Sequence, residues 1–158
     1  DRRFEGHIRT AVKVDASAEA IWEILRDCES APEYVPNVLA CELLENPEDS
    51  SAELFRQQVK LAWFLPSIQH DFHLDYVPYS RIDVSRVSGP FKTLEGTWWL
   101  LPTDNGAITL VYTLDFEPGL PIPDFALARI MRRDIPIVLA AVRDRAEALD
   151  ELDPAIAD

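Results

Sequence analysis

The chain has 158 residues, of which 47% are hydrophobic and 27% are charged, and its formal net charge is −13. This size and composition are those of one globular domain whose core needs neither a disulfide nor a metal ion, so we expect a single domain over residues 1–158. The negative charge disfavours nucleic acid as a partner, and no segment approaches the roughly 18 apolar residues of a membrane span. Because the chain starts at Asp1, a removed leader or anchor is left open.

The first part of the chain predicts one strand and two short helices. Apolar and polar residues alternate over residues 4–14, which is typical of a half-buried strand. Ser17 can cap a short amphipathic helix that ends near Asp27. After it, two prolines restrict the chain to a second short helix or turn around residues 33–38.

The middle of the chain predicts a run of strands joined by short turns. The expected strands cover residues 40–45, 53–63, 69–77, 81–87, 94–101 and 107–117. Asn46–Ser50 and Thr103–Gly106 have the composition of tight turns. Short turns between successive strands indicate an antiparallel sheet.

The last long segment, residues 122–149, predicts the only long helix. Its apolar residues recur at steps of three and four, at Leu127, Met131, Ile135, Val138, Val142, Ala146 and Leu149. At about 1.5 Å per residue the helix would be roughly 40 Å long, and Pro136 should kink it. Such a helix needs a large apolar surface, which the sheet can supply. The predicted fold class is therefore α+β.

Cysteine and histidine patterns indicate neither a metal site nor a cofactor. Cys28 and Cys41 form no CxxC motif, so we expect two reduced, partly buried thiols in a cytoplasmic protein, with one disulfide between them left open. His70 and His73 would point to opposite faces of one strand and could not share an ion. The glycines match no phosphate loop.

Residues 16–27, ASAEAIWEILRD, resemble the first-helix signature of the START-like (Bet v 1-type) superfamily, in particular its polyketide cyclase/dehydrase and coenzyme Q-binding branch. The resemblance continues through Tyr34, Pro36 and Val38, through Phe91–Trp99 and through Leu139–Ala148, so it spans nearly the whole chain. It implies the helix-grip fold, in which a curved antiparallel sheet of about seven strands surrounds the long C-terminal helix, with two short helices after the first strand. In such proteins the space between sheet and helix holds a lipid, sterol, quinone or polyketide.

Alternation along the strands indicates which side chains would face that space. The predicted ligand-binding residues are Phe55, Gln57, Val59, Leu61, Trp63, Phe72, Leu74, Tyr76, Arg86, Trp98, Tyr112, Leu114, Leu127, Met131 and Ile135. The polar members, Gln57, Tyr76, Arg86 and Tyr112, would orient the polar end of a ligand. The alternative is that they lie at strand ends and reach solvent.

Three functions are left open by the sequence. The first is a non-catalytic carrier or chaperone for a lipid- or quinone-like molecule. The second, implied by the resemblance, is a polyketide aromatase/cyclase or dehydrase, with Arg86, Tyr34 and His70 as the candidate catalytic residues. The third is a protein-interaction or assembly module whose cavity has no role.

Two kinds of surface could meet larger partners. The apolar segments 61–66 and 119–125 could make transient membrane contact through Phe64, Leu65, Leu120 and Ile122, or could instead pack on each other. The outer face of the sheet would carry Trp99, Val87 and Val111, which leaves both a monomer and a homodimer open. Five arginines of the last helix, at 129, 132, 133, 143 and 145, are expected to form a solvated face paired with acidic residues.

Overall fold

Seven strands form one antiparallel sheet in the computed structural model, which describes residues 6–45, 52–117, 119 and 123–152. The strands are β1 (Gly6–Val14), β2 (Val38–Glu45), β3 (Ala52–Val59), β4 (Ile68–Val77), β5 (Arg81–Ser88), β6 (Thr93–Pro102) and β7 (Ile108–Glu117). Their order across the sheet is β1-β7-β6-β5-β4-β3-β2, so β1 and β2 form its two edges.

Among the described residues, three α-helices accompany the sheet. They are α1 (Ala18–Arg26), α2 (Ala31–Tyr34) and α3 (Asp124–Leu152), and a 3₁₀ turn at Cys28–Ser30 connects α1 to α2. The Ser17 hydroxyl caps α1 by accepting a hydrogen bond from the Ala20 amide at 3.1 Å, and it donates to Asp150 on α3 at 3.1 Å. The start of α1 is thereby fixed to the end of α3.

The helix-grip prediction is confirmed: a seven-stranded antiparallel sheet, two short helices after the first strand and one long C-terminal helix. The helix α3 continues through Pro136, where the missing proline N–H removes one backbone hydrogen bond. Residues 4–5 of the predicted first strand and the predicted turn Asn46–Ser50 lie outside the described residues.

Three local predictions differ from the structure. The second short helix spans residues 31–34 rather than 33–38, because Pro32 occupies its first turn instead of ending it. The predicted strand 53–63 ends at Val59, where the Lys60 amide turns to donate to the Asn37 carbonyl at 2.8 Å. Cys28 and Cys41 form a disulfide rather than two thiols, because the fold brings their Cα atoms to 5.4 Å.

Two groups of buried side chains lie between the sheet and α3. One lies beneath α1 and includes Ile21, Leu110 and Val142. The other lies near the start of α3 and includes Phe116 and Leu127. The space between these two groups is not filled by side chains.

Candidate functional site

A cavity of about 270 Å³ lies between the sheet and α3, and residues of both buried groups contribute to its wall. Strands β3 to β7 form one side and the middle of α3 forms the other. Residues 28–38, which comprise the 3₁₀ turn, α2 and the link to β2, close a third side; we call them the cover segment. The wall is mostly apolar, as expected for a small-molecule site.

Most of the predicted ligand-binding residues line this cavity. They are Gln57, Val59, Leu61, Phe72, Leu74, Trp98, Tyr112, Leu114, Met131 and Ile135. Of the candidate catalytic residues, Tyr34 and His70 also line it. Contact with a ligand remains a prediction for all of them.

Two of the predicted residues do not line the cavity because they lie beyond or near the ends of the regular strands. Trp63 follows the end of β3 and its side chain is 87% exposed. Arg86 is paired with Phe72 across the sheet, but it sits near the end of β5, is exposed, and donates to the Gly89 carbonyl at 2.9 Å. Neither side chain lines the cavity here, and ligand contact by either one stays a prediction.

Three further predicted residues belong to packed regions rather than to the cavity wall. Phe55 stacks on Phe72 and faces a groove beside α1. Tyr76 packs edge-on against Trp22 near that same groove. Leu127 is fully buried near the start of α3. The inner face of the sheet is thus partly solid core, which alternation alone does not distinguish from a hollow.

The cover segment is the part of the wall that the sequence pattern missed. Its Asn37 amide donates to the Asp134 carboxylate of α3 at 2.7 Å, and its Glu33 carboxylate accepts from Arg145 of α3 at 2.9 Å. The Arg145 guanidinium also lies 4.7 Å from the centre of the Tyr34 ring. Two prolines interrupt any periodic pattern here, so the family resemblance at Tyr34, Pro36 and Val38 was the signal that pointed to this segment.

The side chains of His70 and Gln57 contact each other in the cavity wall. The His70 Nε2 and Gln57 Oε1 atoms are 2.9 Å apart, and the His70 ring stacks on Phe72. Burial lowers the pKa of His70 to about 4, with the nearby Asp71 carboxylate opposing the shift. The imidazole is therefore neutral near pH 7. Its Nδ1 atom is buried and has no hydrogen-bond partner among the described residues.

Tyr112 offers a free hydroxyl at the cavity wall. Its ring stacks on Trp98 with centroids 4.2 Å apart, and no hydrogen bond of the hydroxyl is found within the described part of the chain. Burial raises its pKa, so the hydroxyl keeps its proton and can donate. A Cβ atom at Gly96 would lie only 3.0 Å from this hydroxyl, so the glycine makes room for it.

The charged groups of the wall are acidic. Asp27 and Asp134 line the cavity, and Asp134 is already bonded to Asn37 and to Arg133. No lysine or arginine lines the cavity in the described ranges. The site can therefore enclose an apolar body and donate hydrogen bonds to a neutral polar group, but it offers no cation to a phosphate or carboxylate.

A second concavity, the α1 groove, lies beside the cavity and is more open. It has a volume of about 510 Å³, and its lining includes the carboxylates of Glu19, Glu23, Asp27, Glu29 and Glu53. Asp27 and Cys28 line both the α1 groove and the cavity. These two residues therefore form part of the partition between the two spaces.

Exposed aromatic side chains occur on the β3–β4 connection and at the start of α3. Trp63 and Phe64 touch edge to face, and Phe64 is 62% exposed, whereas Leu65 is half-buried. Phe125 on α3 is 75% exposed. Leu120 and Ile122, the other residues predicted to reach a membrane, lie outside the described residues.

The predicted outer patch of the sheet is only partly exposed. Trp99 and Val87 are accessible. Val111 pairs directly with Trp99 and so lies on the same outer face, as predicted, but it is only 3% exposed. On α3, Arg133, Arg143 and Arg145 pair with acidic neighbours, as a solvated face would. Within the described ranges no helix is long and apolar enough to cross a bilayer.

Comparison with known proteins gives a consistent family. Residues 14–143 match the family described as polyketide cyclase / dehydrase and lipid transport. A Streptomyces cyaneus protein whose name proposes a polyketide cyclase is 25% identical over 150 residues, covering 90% of this chain and 94% of that protein. The ribosome association toxin RatA of Vibrio cholerae is 29% identical over 120 residues, covering 74% of this chain and 78% of the toxin.

Solved structures show the same architecture. The Zhui aromatase/cyclase from Streptomyces sp. R1128 superposes with a TM-score of 0.81 at 24% identity, covering 96% of this chain and 98% of that one. A START superfamily protein from Mycobacterium smegmatis has a TM-score of 0.76 at 25% identity, covering 90% and 98% of the two chains.

Proposed function

The chain belongs to the polyketide cyclase/dehydrase and lipid transport family, and we propose that it binds a neutral, hydrophobic small molecule as a non-catalytic carrier or chaperone. The observation that supports this most is the cavity of about 270 Å³ with an apolar wall, a free Tyr112 hydroxyl and, among the described residues, no cation. A lipid- or quinone-like molecule with a carbonyl or hydroxyl group fits that chemistry.

The size of the cavity sets the size of the ligand. Drug-sized ligands occupy pockets of roughly 300–1,000 Å³, and 270 Å³ lies just below that range. The cavity would therefore hold a small ring system or part of one chain, rather than both acyl chains of a phospholipid. Affinity would come from burying apolar surface at about 25 cal/mol per Å². The Tyr112 hydroxyl and the Gln57 amide would set the orientation.

Catalysis as an aromatase/cyclase or dehydrase is the second candidate. It is favoured by Tyr34 and His70 lining the cavity and by the aromatase/cyclase names of similar proteins. However, the His70 Nε2 atom is held by Gln57, burial raises the pKa of Tyr34 to about 12, and Arg86 points to solvent. The unpartnered Nδ1 atom of His70 is a weak base because its pKa is about 4, and no lysine or arginine lines the cavity among the described residues, so we favour binding without reaction.

A protein-interaction role is the third candidate, and the similarity to a ribosome association toxin gives it a concrete form. A net charge of −13 would repel ribosomal RNA, so such a contact would have to be made to protein. An unfilled cavity would be unnecessary for this role.

Membrane contact remains a proposal that fits a carrier. The membrane–water interface would be entered by Trp63, Phe64 and Phe125, because aromatic side chains favour that region of a bilayer. Leu61 and Leu127, two residues from Trp63 and Phe125, belong to the same buried group, so these aromatics flank one end of the fold.

A homodimer through Trp99 and Val87 is likewise a proposal.

The test compares two substitutions on one helix. Ile135→Trp would fill the cavity, whereas Ile137→Trp, at a 44% exposed position of the same helix, would not. We expect Ile135→Trp to weaken binding of the neutral dye Nile red at least ~10-fold, which corresponds to about 1.4 kcal/mol. The Ile137→Trp protein should match the parent.

Native mass spectrometry of the purified protein would then identify what it carries. We expect a small neutral adduct that organic solvent extracts and that the Ile135→Trp protein lacks. Equal dye binding by both variants, with no extractable molecule, would contradict the proposal.

A further inference from the structure

We propose that the Cys28–Cys41 disulfide is a redox latch on the ligand cavity, and that thiol exchange at this bond releases the cover segment and speeds ligand departure. The proposal rests on the proposed function, because it concerns the control of that same cavity. Both cysteines line the cavity, so the bond is itself part of the wall.

The disulfide attaches the cover segment to the sheet. Cys28 begins this segment in the 3₁₀ turn, and Cys41 lies on β2, the edge strand of the sheet. The bond therefore ties the start of the cover segment directly to the sheet, across 13 residues of chain. Without it, only the backbone and non-covalent contacts would hold residues 28–38 against the cavity.

Beyond the packing of Ala31 and Tyr34 on the core and the Lys60–Asn37 backbone hydrogen bond, most of those remaining contacts are weak or solvent-exposed. The Glu33–Arg145 pair has side chains that are 65% and 36% exposed, and exposed ion pairs add little to stability. The helix α2 has four residues, too few to be stable by itself. The Asn37–Asp134 hydrogen bond fixes only the C-terminal end of the cover segment, next to β2. Opening of the disulfide should thus loosen the cover segment at its Cys28 end without unfolding the sheet.

A reductant can reach the bond without entering the cavity. Cys28 lines the open α1 groove as well as the cavity, whereas Cys41 is 8% exposed. An external thiolate would attack the Cys28 sulfur from the groove, and the Cys41 sulfur would leave and take up a proton. The second thiolate of a dithiol reductant, or that of a second monothiol molecule, then attacks the reductant sulfur of this mixed disulfide and displaces the Cys28 thiolate, which takes up a proton. The protein thereby gains two thiols and the reductant becomes a disulfide.

The acidic lining of the α1 groove should select among reductants. Glu19, Glu23 and Glu29 are carboxylates around the approach to Cys28, and the one arginine of the described lining, Arg26, is paired with Glu53. Glutathione carries a net negative charge and would be repelled, whereas the cationic thiol cysteamine would be attracted. The difference should shrink at high salt, because exposed charges are screened.

The first experiment measures dye release from the full chain. Nile red is bound, free dye is removed by rapid dilution, and the fluorescence decay is followed with and without prior treatment with dithiothreitol. We expect release to be at least ~10-fold faster after reduction. Cys28→Ser with Cys41→Ser should release at the fast rate in both conditions, because it has no bond to break.

The second experiment compares reduction by cysteamine and glutathione at equal thiolate concentration. We expect cysteamine to react at least ~10-fold faster at low salt and the two rates to converge in about 1 M salt. Amide hydrogen exchange of residues 28–38 supplies a readout that does not depend on the serine variants folding well. Exchange there should rise on reduction, while exchange in β6 and β7 should stay constant.

The outcomes separate the latch from cavity binding. Dye that binds in both redox states and leaves at one common rate would overturn the latch and leave cavity binding intact. A protein that binds no dye in either state would overturn cavity binding and the latch with it. Equal rates for the two thiols would overturn the route through the α1 groove.

Discussion

Asn37 and Asp134 connect the cover segment to the long helix across the cavity wall, with the Asn37 amide 2.7 Å from the Asp134 carboxylate. Asn37 has a positive φ of 71°, a conformation that asparagine and glycine tolerate best. The side chain and the backbone conformation of this residue therefore both hold the cover segment in place.

Asn37→Gly should separate these two contributions. Glycine keeps the positive φ but removes the amide, so we expect a loss of about 1 kcal/mol in the free energy of unfolding and several-fold faster dye release. Urea unfolding and stopped-flow release measure the two effects. Tyr79→Gly is a matched control, because Tyr79 also has a positive φ but lies on the β4–β5 turn, away from the cavity. It should leave dye release unchanged, and unchanged release in Asn37→Gly as well would contradict the role of this hydrogen bond.

His70 should make stability depend on pH in a defined window. Its pKa is about 4 in the folded protein and 6.5 ordinarily, so between these values the unfolded chain binds a proton that the folded chain does not. The contribution of His70 to the free energy of unfolding is constant above about pH 6.5. It falls as the pH drops towards 4, by up to about 3 kcal/mol. Urea unfolding at several pH values from about 7.5 to about 4 would measure the slope.

Two variants test the assignment to His70. His70→Gln should remove most of the slope in this window, whereas His73→Gln, on the other face of the same strand, should keep it. The pKa of Asp71 is lowered by its ion pair with Arg56, so its contribution is lost only at lower pH. A slope that survives in His70→Gln would show that another group is responsible.

Tyr112→Phe should affect ligand affinity more than folding. The hydroxyl has no partner among the described residues, so its removal breaks no internal hydrogen bond there. For a ligand with a carbonyl group we expect about 3- to 10-fold weaker binding and a change in stability below about 0.5 kcal/mol. Tyr76→Phe is the control, since the Tyr76 ring packs by Arg26 outside the cavity. Equal affinity of all three proteins would exclude a hydrogen bond from Tyr112 to the ligand.

Trp63→Asp with Phe64→Asp should reduce association with lipid vesicles without loss of stability, because both side chains are exposed. Co-sedimentation with vesicles of neutral lipid, with and without added anionic lipid, measures it. Tyr79→Asp replaces an exposed aromatic residue on another turn and should have no effect. If the parent protein does not sediment with either vesicle, the membrane proposal is wrong.

The fold could be predicted well from sequence because alternation and helical periodicity are strong over most of the chain. The same alternation placed Phe72, Trp98 and Leu114 on the cavity wall. It identifies the face of a strand but not whether a residue near the strand end reaches the cavity, and for this reason Trp63 and Arg86 were expected at a wall that they do not line.

The hollow itself could not be predicted from residue types. Phe55, Tyr76 and Leu127 have the same apolar or aromatic character as true wall residues, yet they pack against neighbours. The cover segment carries two prolines and no period, so neither its position nor the Cys28–Cys41 pairing could be read from the sequence. Only the spatial meeting of the 3₁₀ turn with β2 reveals it.

The pairing of β1 with β7 also bears on how the protein is made. Gly6 of β1 aligns with Phe116 of β7, so β1 cannot pair with this strand until β7, on the order of 100 residues later, has left the ribosome. Contacts so distant along the chain slow folding, and α3, which follows β7, can cover the complete sheet only after all seven strands have been synthesised. We therefore expect the cavity to be enclosed last. A hydrophobic molecule that is present during synthesis could then be bound as the chain folds around it.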